Sequence, residues 1–253
     1  MSPELLGTRA FITGGGTGIG RASAVALAAQ GCFVTVAGRT QRTLDETVTL
    51  VREVGGSAAA VLCDVTDEAS VAAAVAMAAG EDGRLDFGVN SAGVSGGDDL
   101  QPLADYSQQQ FDRMIDVDLR GTFLSMKHEL RHMVAFGRGS IVTIASGAGI
   151  VGVPGFAGYV AAKHGQVGLT KTAALDYGAQ GIRVNAIAAG LVDTPLVAEG
   201  RSPEVMAARI AAHPIGRIGR PDEIADAVVW LCSDRSSFVT GTAIPVDGGY
   251  AAR

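Results

Sequence analysis

The sequence predicts an α/β domain built on a doubly wound parallel sheet of about seven strands, with helices on both faces. Three observations carry that expectation. Short β-branched runs alternate with helix-length segments along the 253 residues, the runs are largely apolar rather than strictly alternating, and 35 glycines allow tight connections. No linker or internal repeat divides the chain, so residues 1–253 read as a single domain able to bury a substantial core.

The strands fall at Arg9–Thr13, Phe33–Ala37, Ala59–Leu62, Phe87–Asn90, Ser140–Ile144, Arg183–Ala188 and Ala243–Val246. Between most of them the pattern lengthens into helices at Gly18–Gln30, Thr40–Val54, Asp67–Ala79, Gln108–Phe136, Tyr159–Gln180 and Pro221–Leu231. Leu196–Pro214 breaks the rhythm, inserting a loop and a short amphipathic helix where a direct return to the sheet was open. It is the candidate substrate lid, at about residues 193–214.

A formal net charge of −6 with scattered basic residues gives no field for nucleic acid. The longest apolar stretch, Val71–Ala79, is far short of the roughly 20 residues a membrane-spanning helix needs, and the N-terminus lacks a leader pattern. A cytoplasmic protein with no membrane partner is expected. Cys32, Cys63 and Cys232 are odd in number and widely spaced, without CxxC neighbours; they read as reduced core residues, with no metal site.

After the first strand, Thr13–Gly20 reads TGGGTGIG and opens a helix. Glycines admit a pyrophosphate close to the backbone, and a helix N-terminus offers it free N–H groups and a positive dipole end, which makes Gly14, Thr17, Gly18, Ile19 and Gly20 cofactor-binding candidates. The second strand ends in Ala37-Gly38-Arg39, with no acid for ribose hydroxyls. Arg39 can instead pair with a 2′-phosphate, so NADP(H) is expected over NAD(H), although Arg39 and Arg42 also fit a solvated helix start.

Chemistry is concentrated in Ser146–Lys163, where a serine lies thirteen residues before a tyrosine and a lysine four after it. On a helix Tyr159 and Lys163 share a face, so the ammonium can act on a phenol whose ordinary pKa is about 10. That is the equipment of a carbonyl reduction site.

TGGGTGIG, Leu62–Val65, Asn90-Ser91-Ala92-Gly93, Ser146 with Tyr159-x-x-x-Lys163, and Val246–Gly249 occur in an order and spacing that resembles the short-chain dehydrogenase/reductase family over essentially the whole chain. The resemblance implies a Rossmann-type fold. It implies that Tyr159 is the proton donor or acceptor, that Ser146 hydrogen-bonds the substrate carbonyl, and that Lys163 holds the nicotinamide ribose and lowers the tyrosine pKa. It further places Asp64 and Val65 at the adenine, Asn90 and Gly93 along the cofactor channel, Val192 and Thr194 at the carboxamide, and a homotetramer on Gln108–Phe136 and Tyr159–Gln180.

Three positions depart from the family pattern: Ser91 for a second Asn, Ala189-Gly190 for Pro-Gly, and Asp118 for an Asn that supports a water leading protons to the lysine. An ionised Asp118 only accepts hydrogen bonds and is expected to pair with Lys163 or its water, damping the relay. The reading is an NADP(H)-dependent oxidoreductase on a ketone or secondary alcohol, with Phe156, Leu196, Val197, Met206, Ile210 and Tyr250 as candidate pocket walls. Two alternatives stand beside it. One is a 3-oxoacyl carrier-protein reductase docking its acidic carrier on Lys127, His128, Arg131, His132 and Arg138, which equally suit a solvated helix face. The other is a catalytically impaired NADP(H)-binding regulatory protein.

Overall fold

Apolar runs that are buried on both faces have to be covered by helices on both sides, and the computed structural model, which describes residues 4–95, 100–198 and 202–252, has that layering. Strands β1 (Arg9–Thr13), β2 (Phe33–Gly38), β3 (Ser57–Leu62), β4 (Phe87–Asn90), β5 (Gly139–Ile144), β6 (Ile182–Ala189) and β7 (Ala243–Val246) form one sheet in the order β3-β2-β1-β4-β5-β6-β7. Every pairing is parallel. The winding reverses between β1 and β4, so the crevice for a ligand lies at their carboxyl ends.

The helices are α1 (Gly18–Ala29), α2 (Gln41–Glu53), α3 (Glu68–Ala79), α4 (Gln108–Met114), α5 (Gly121–Phe136), α6 (Ala157–Tyr177), α7 (Pro195–Ala198), α8 (Pro203–Ala211) and α9 (Pro221–Cys232). One core layer joins Leu27, Val34, Val89, Ile187 and Val228, and the other joins Phe11, Val75, Leu130, Met133 and Ile141. Each such side chain, taken out of water, contributes about 1.5–3 kcal/mol. Local signals set the helix ends. The Asp67 side chain accepts from the Ala69 amide to start α3, Ser202 accepts from Val205 to start α8, and Gly137 at φ 63° ends α5.

The expected helix Gln108–Phe136 is interrupted by a π-helical turn, Ile115–Arg120, between α4 and α5. The wider turn brings Asp118 into the interior, where its Oδ1 accepts from the Val94 amide at 2.8 Å, an inward polar bond that a regular helical phase does not announce. Strand β3 begins at Ser57, two residues before its expected start, because it pairs with β2 along its full length. Helix α6 begins before Tyr159 and hands over to a 3-10 turn at Gly178–Gln180. The lid is two short helices, α7 and α8; residues 199–201 lie outside the described residues.

The three cysteines are buried and free, with burial pushing the Cys32 thiol up to about 12. No helix among the described residues is long and apolar enough to cross a membrane.

Candidate active site

Helix α6 carries Tyr159 in its first turn and Lys163 one turn on. The Lys163 Nζ lies 5.5 Å from the Tyr159 ring centroid and donates to the Ile144 carbonyl at 3.3 Å, which ties the buried lysine to the end of β5. Ser146 follows that strand, and its Oγ accepts from the Ala148 amide at 3.2 Å. Gly149 allows the approach: a Cβ there would lie 2.9 Å from the Lys163 carbonyl, so any larger residue would push the serine turn off α6.

Three connected cavities surround these residues. The first, of about 240 Å³, runs from Gly14 and Thr17 past Gly38, Arg39 and Thr40 to Asp64 and Val65. The second, of about 300 Å³, is lined by Gly18, Ile19, Gly93, Val192, Thr194, Tyr159 and Lys163. The third, of about 450 Å³, is a largely apolar chamber with walls from Leu100, Phe156, Leu196, Val197, Val205 and Tyr250. Ser146 and Tyr159 line both the second and the third.

The first two cavities fit a dinucleotide. Gly14 has φ +65°, and a Cβ on it would stand 2.8 Å from the Ala92 amide, inside the cradle a pyrophosphate needs. A Cβ on Gly20 would strike the Gly14 carbonyl, so Gly20 sets the close turn-to-helix contact rather than lining the groove. The Thr17 side chain does not cap α1, which leaves the first-turn amides for an anion. Thr13 fixes the floor, its Oγ1 accepting from the Ser91 and Ala92 amides at 3.1 and 3.2 Å.

At the adenine end, hydrogen bonds from the Thr66 amide and hydroxyl hold the Asp64 carboxyl below the usual carboxylate range, with Arg39 adding to the effect. Arg39 itself is exposed at the mouth of that cavity.

Asn90 departs from the expected channel position. It is buried, lines none of these cavities, and donates through Nδ2 to Glu129 Oε2 at 3.0 Å. Glu129 on α5 is fully buried against Gly88, and burial pushes its carboxyl up to about 8. The two partners come from elements far apart in sequence, so no local signal announces the pair.

Asp118 also differs from the expected pairing: among the described residues it makes no ion pair with Lys163. Its Oδ1 is taken by Val94, its backbone carbonyl accepts from Gln166 Nε2 and Thr122 Oγ1 at 2.7 Å each, and its Oδ2 is buried without a hydrogen-bond partner. Burial raises the Asp118 pKa, opposed by the Lys163 charge and the Val94 hydrogen bond. The environment therefore favours the neutral acid relative to an exposed aspartate, the form closest to the asparagine it replaces.

In the lid, Met206 and Ile210 do not line the chamber, whereas Val205, Ala208, Arg209, Ala212 and His213 do. Helical phase from the Ser202 cap places Val205, Arg209 and Ala212 on one face, a signal the apolar residues alone obscure. Four of the five carrier-docking candidates have partners within the chain: Lys127 and His128 contact Glu68 at 2.6 and 3.3 Å, His132 contacts the Gly83 carbonyl, and Arg138 contacts Asp86 at 3.5 Å.

Known proteins share both sequence and architecture. A family model described as enoyl-(acyl carrier protein) reductase matches residues 14–251. The chain is 45% identical over 243 residues to a cis-4-hydroxycyclohexanecarboxylate dehydrogenase from Sinomonas cyclohexanicum, covering 96% of each protein. It is 41% identical over 257 residues to a cyclohexanol dehydrogenase from Acinetobacter sp. (strain SE19), covering 100% of this chain and 98% of the relative. The crystal structure of levodione reductase superposes with a TM-score of 0.93 at 37% identity, covering 98% of this chain and 99% of the other. With its seven-stranded parallel sheet and these relatives, the chain belongs to the short-chain dehydrogenase/reductase family, oxidoreductases that interconvert CH–OH and C=O groups with a nicotinamide cofactor.

Proposed function

We propose that the protein interconverts a ring secondary alcohol and its ketone with NADP(H), using Tyr159 as the general acid and base. The observation that carries this reading is that Ser146 and Tyr159 stand in the shared wall of the dinucleotide groove and the apolar chamber. A carbonyl held there meets a hydroxyl, a phenol and the cofactor groove at one point. The chamber's size and apolar lining suit a carbocycle, and the relatives named for cyclohexane-ring alcohols support that class.

Bound nicotinamide supplies or accepts the hydride. In the reductive direction Ser146 donates a hydrogen bond to the substrate oxygen, and Tyr159 transfers its proton to that oxygen as negative charge develops. Lys163, buried beside the ring, stabilises the phenolate left behind and binds the nicotinamide ribose. Asp118 acts as a positioning residue: it joins the Val94 loop to α6 through Gln166, which keeps the lysine and the groove in register. Arg39 pairs with the 2′-phosphate. The exposed Phe111, Phe123 and Leu175 on α4, α5 and α6 are the faces on which a homotetramer would pack.

The test is initial-rate kinetics on a panel of cyclic and open-chain ketones and alcohols with NADPH, NADH and their oxidised forms. Turnover of the ring substrates with a preference for NADP(H) supports the reading. A clear preference for NADH would overturn the cofactor assignment, and tight cofactor binding without turnover of any substrate would favour the regulatory alternative.

A further inference from the structure

The turn after β6, residues 190–192, borders two cavities at once. Gly190 and Val192 line the dinucleotide groove, and Gly190 and Leu191 line the apolar chamber. Ala189 precedes it, so no proline ring fixes φ where the turn begins. The turn is held from outside instead. The Gly190 amide donates to the Val246 carbonyl at 3.1 Å, the Leu191 carbonyl accepts from the Gly219 amide at 2.9 Å, and the Leu191 amide donates to His213 Nε2 at 3.0 Å. His213 is buried and stands two residues beyond the end of α8, so this last bond links the turn to the lid.

The hydrogen bonds leave the imidazole one tautomer. Nε2 accepts, so the proton sits on Nδ1, which donates to the Arg209 carbonyl of α8 at 2.8 Å. The ring also stacks on Tyr250, with centroids 5.0 Å apart. Tyr250 in turn lies over Gly147, where a Cβ would stand 2.8 Å from the tyrosine Cδ1, and Gly147 follows the reactive Ser146. One buried imidazole therefore meets the lid helix, the turn between the two cavities and the ring beside the serine. Beyond it the Ile215 amide donates to the Gly248 carbonyl at 3.1 Å, and Gly248, at φ +60°, has no room for a Cβ, which would lie 2.6 Å from Ile215 Cγ2.

Resting on the reaction proposed above, we propose that His213 is a positioning residue for it: the imidazole, protonated on Nδ1, fixes the turn at residues 190–192 against the lid wall of Val205, Ala208 and Ala212, so that order imposed on the groove side of the turn reaches the chamber side. Without the imidazole acceptor the Leu191 amide loses its partner in a part-buried site. That penalty favours a turn swung toward water, and the lid loses its tie to the groove.

The test uses two amides that differ by one methylene. Counted in bonds from Cβ, the glutamine side-chain oxygen stands where Nε2 does, and the asparagine amide stands where Nδ1 does. His213→Gln therefore keeps an acceptor for Leu191, whereas His213→Asn reaches only the Arg209 carbonyl. Hydrogen–deuterium exchange, read by mass spectrometry with and without NADPH, is combined with initial-rate kinetics on cyclohexanone. In the wild type the Leu191 amide should be protected, and NADPH should slow exchange across residues 203–212. His213→Asn should speed Leu191 exchange by about 10-fold, remove most of the NADPH-induced protection of the lid, and raise KM for cyclohexanone by roughly 5- to 10-fold with kcat changed by less than about threefold. His213→Gln should restore all three toward wild type. NADPH-induced lid protection that is absent in the wild type, or equal in wild type and His213→Asn, would overturn the inference and leave the reaction assignment standing. So would identical behaviour of the two amides, which would reduce His213 to filler. A wild-type enzyme that reduces no ring ketone would overturn the reaction assignment and the inference with it.

Discussion

The Asp118 carboxyl and the Val94 amide hydrogen-bond at 2.8 Å inside the π-helical turn, joining the helix that backs the active site to the loop that floors the cofactor groove. An asparagine could keep this bond, since its side-chain oxygen accepts as a carboxylate does. The difference lies at the buried, partnerless second oxygen. Burial raises the folded-state pKa above the ordinary 3.8, so the folded protein holds the proton to higher pH than the unfolded chain. Stability from this group is full below about pH 4 and is lost as pH rises through the folded value. Asp118→Asn should therefore raise Tm more at pH 8 than at pH 4.5, and should shift the alkaline limb of the kcat profile if the acid's charge damps Lys163. Identical pH profiles of Tm would show that Asp118 ionises as readily in the folded protein as in the unfolded chain.

Glu129 sets a second pH dependence of the same sign. Its folded value of about 8 stands well above the ordinary 4.5, through burial that the Asn90 hydrogen bond only partly offsets. Between those two values the folded state loses stability as pH rises. Glu129→Gln should flatten that loss, narrowing the Tm drop between pH 5 and pH 8.5 by roughly 5 °C. Differential scanning calorimetry at the two pH values measures it, and an equal drop in both proteins would clear Glu129. Gly88→Ala bears on the same contact. A Cβ at Gly88 would lie 2.5 Å from the Glu129 carboxyl, so this variant should lose about 1–3 kcal/mol.

Tyr159→Phe should reduce kcat by roughly 10²–10⁴-fold, the usual contribution of a positioned general acid, while cofactor affinity changes little. Stopped-flow hydride transfer and fluorescence titration with NADPH separate the two effects. Retention of most activity would overturn the mechanism.

The strands were legible because each is a short apolar run, and seven such runs separated mostly by helices admit few other architectures. Ser146, Tyr159 and Lys163 were legible because one loop and one helix turn bring them together. What stayed hidden needed contacts between distant elements. Ile115, Val117 and Leu119 read as ordinary helix, and nothing local to them signals the π turn that the Asp118–Val94 bond accompanies. Asn90 read as a channel residue until β4 met Glu129 of α5, and Met206 and Ile210 read as pocket walls until the Ser202 cap set which face of α8 meets the chamber.

Arg39 gives the remaining prediction. It stands at the mouth of the adenine cavity, where Gly38 occupies the place of a ribose-binding acid, and Asp64 nearby is held in its charged form. A 2′-phosphate entering there meets one carboxylate that repels it, so the exposed guanidinium has to outweigh that repulsion. Arg39→Asp removes the cation and adds a second repulsive charge, while supplying an acceptor for ribose hydroxyls. The ratio of kcat/KM for NADPH to that for NADH should fall by about 10²-fold or more, with the loss in KM for NADPH exceeding the gain for NADH. Because Arg39 is exposed, its attraction is screened, and the wild-type preference should shrink between 0.05 and 0.5 M salt at roughly constant kcat. A preference for NADPH that survives both the substitution and the salt would place the phosphate against other residues.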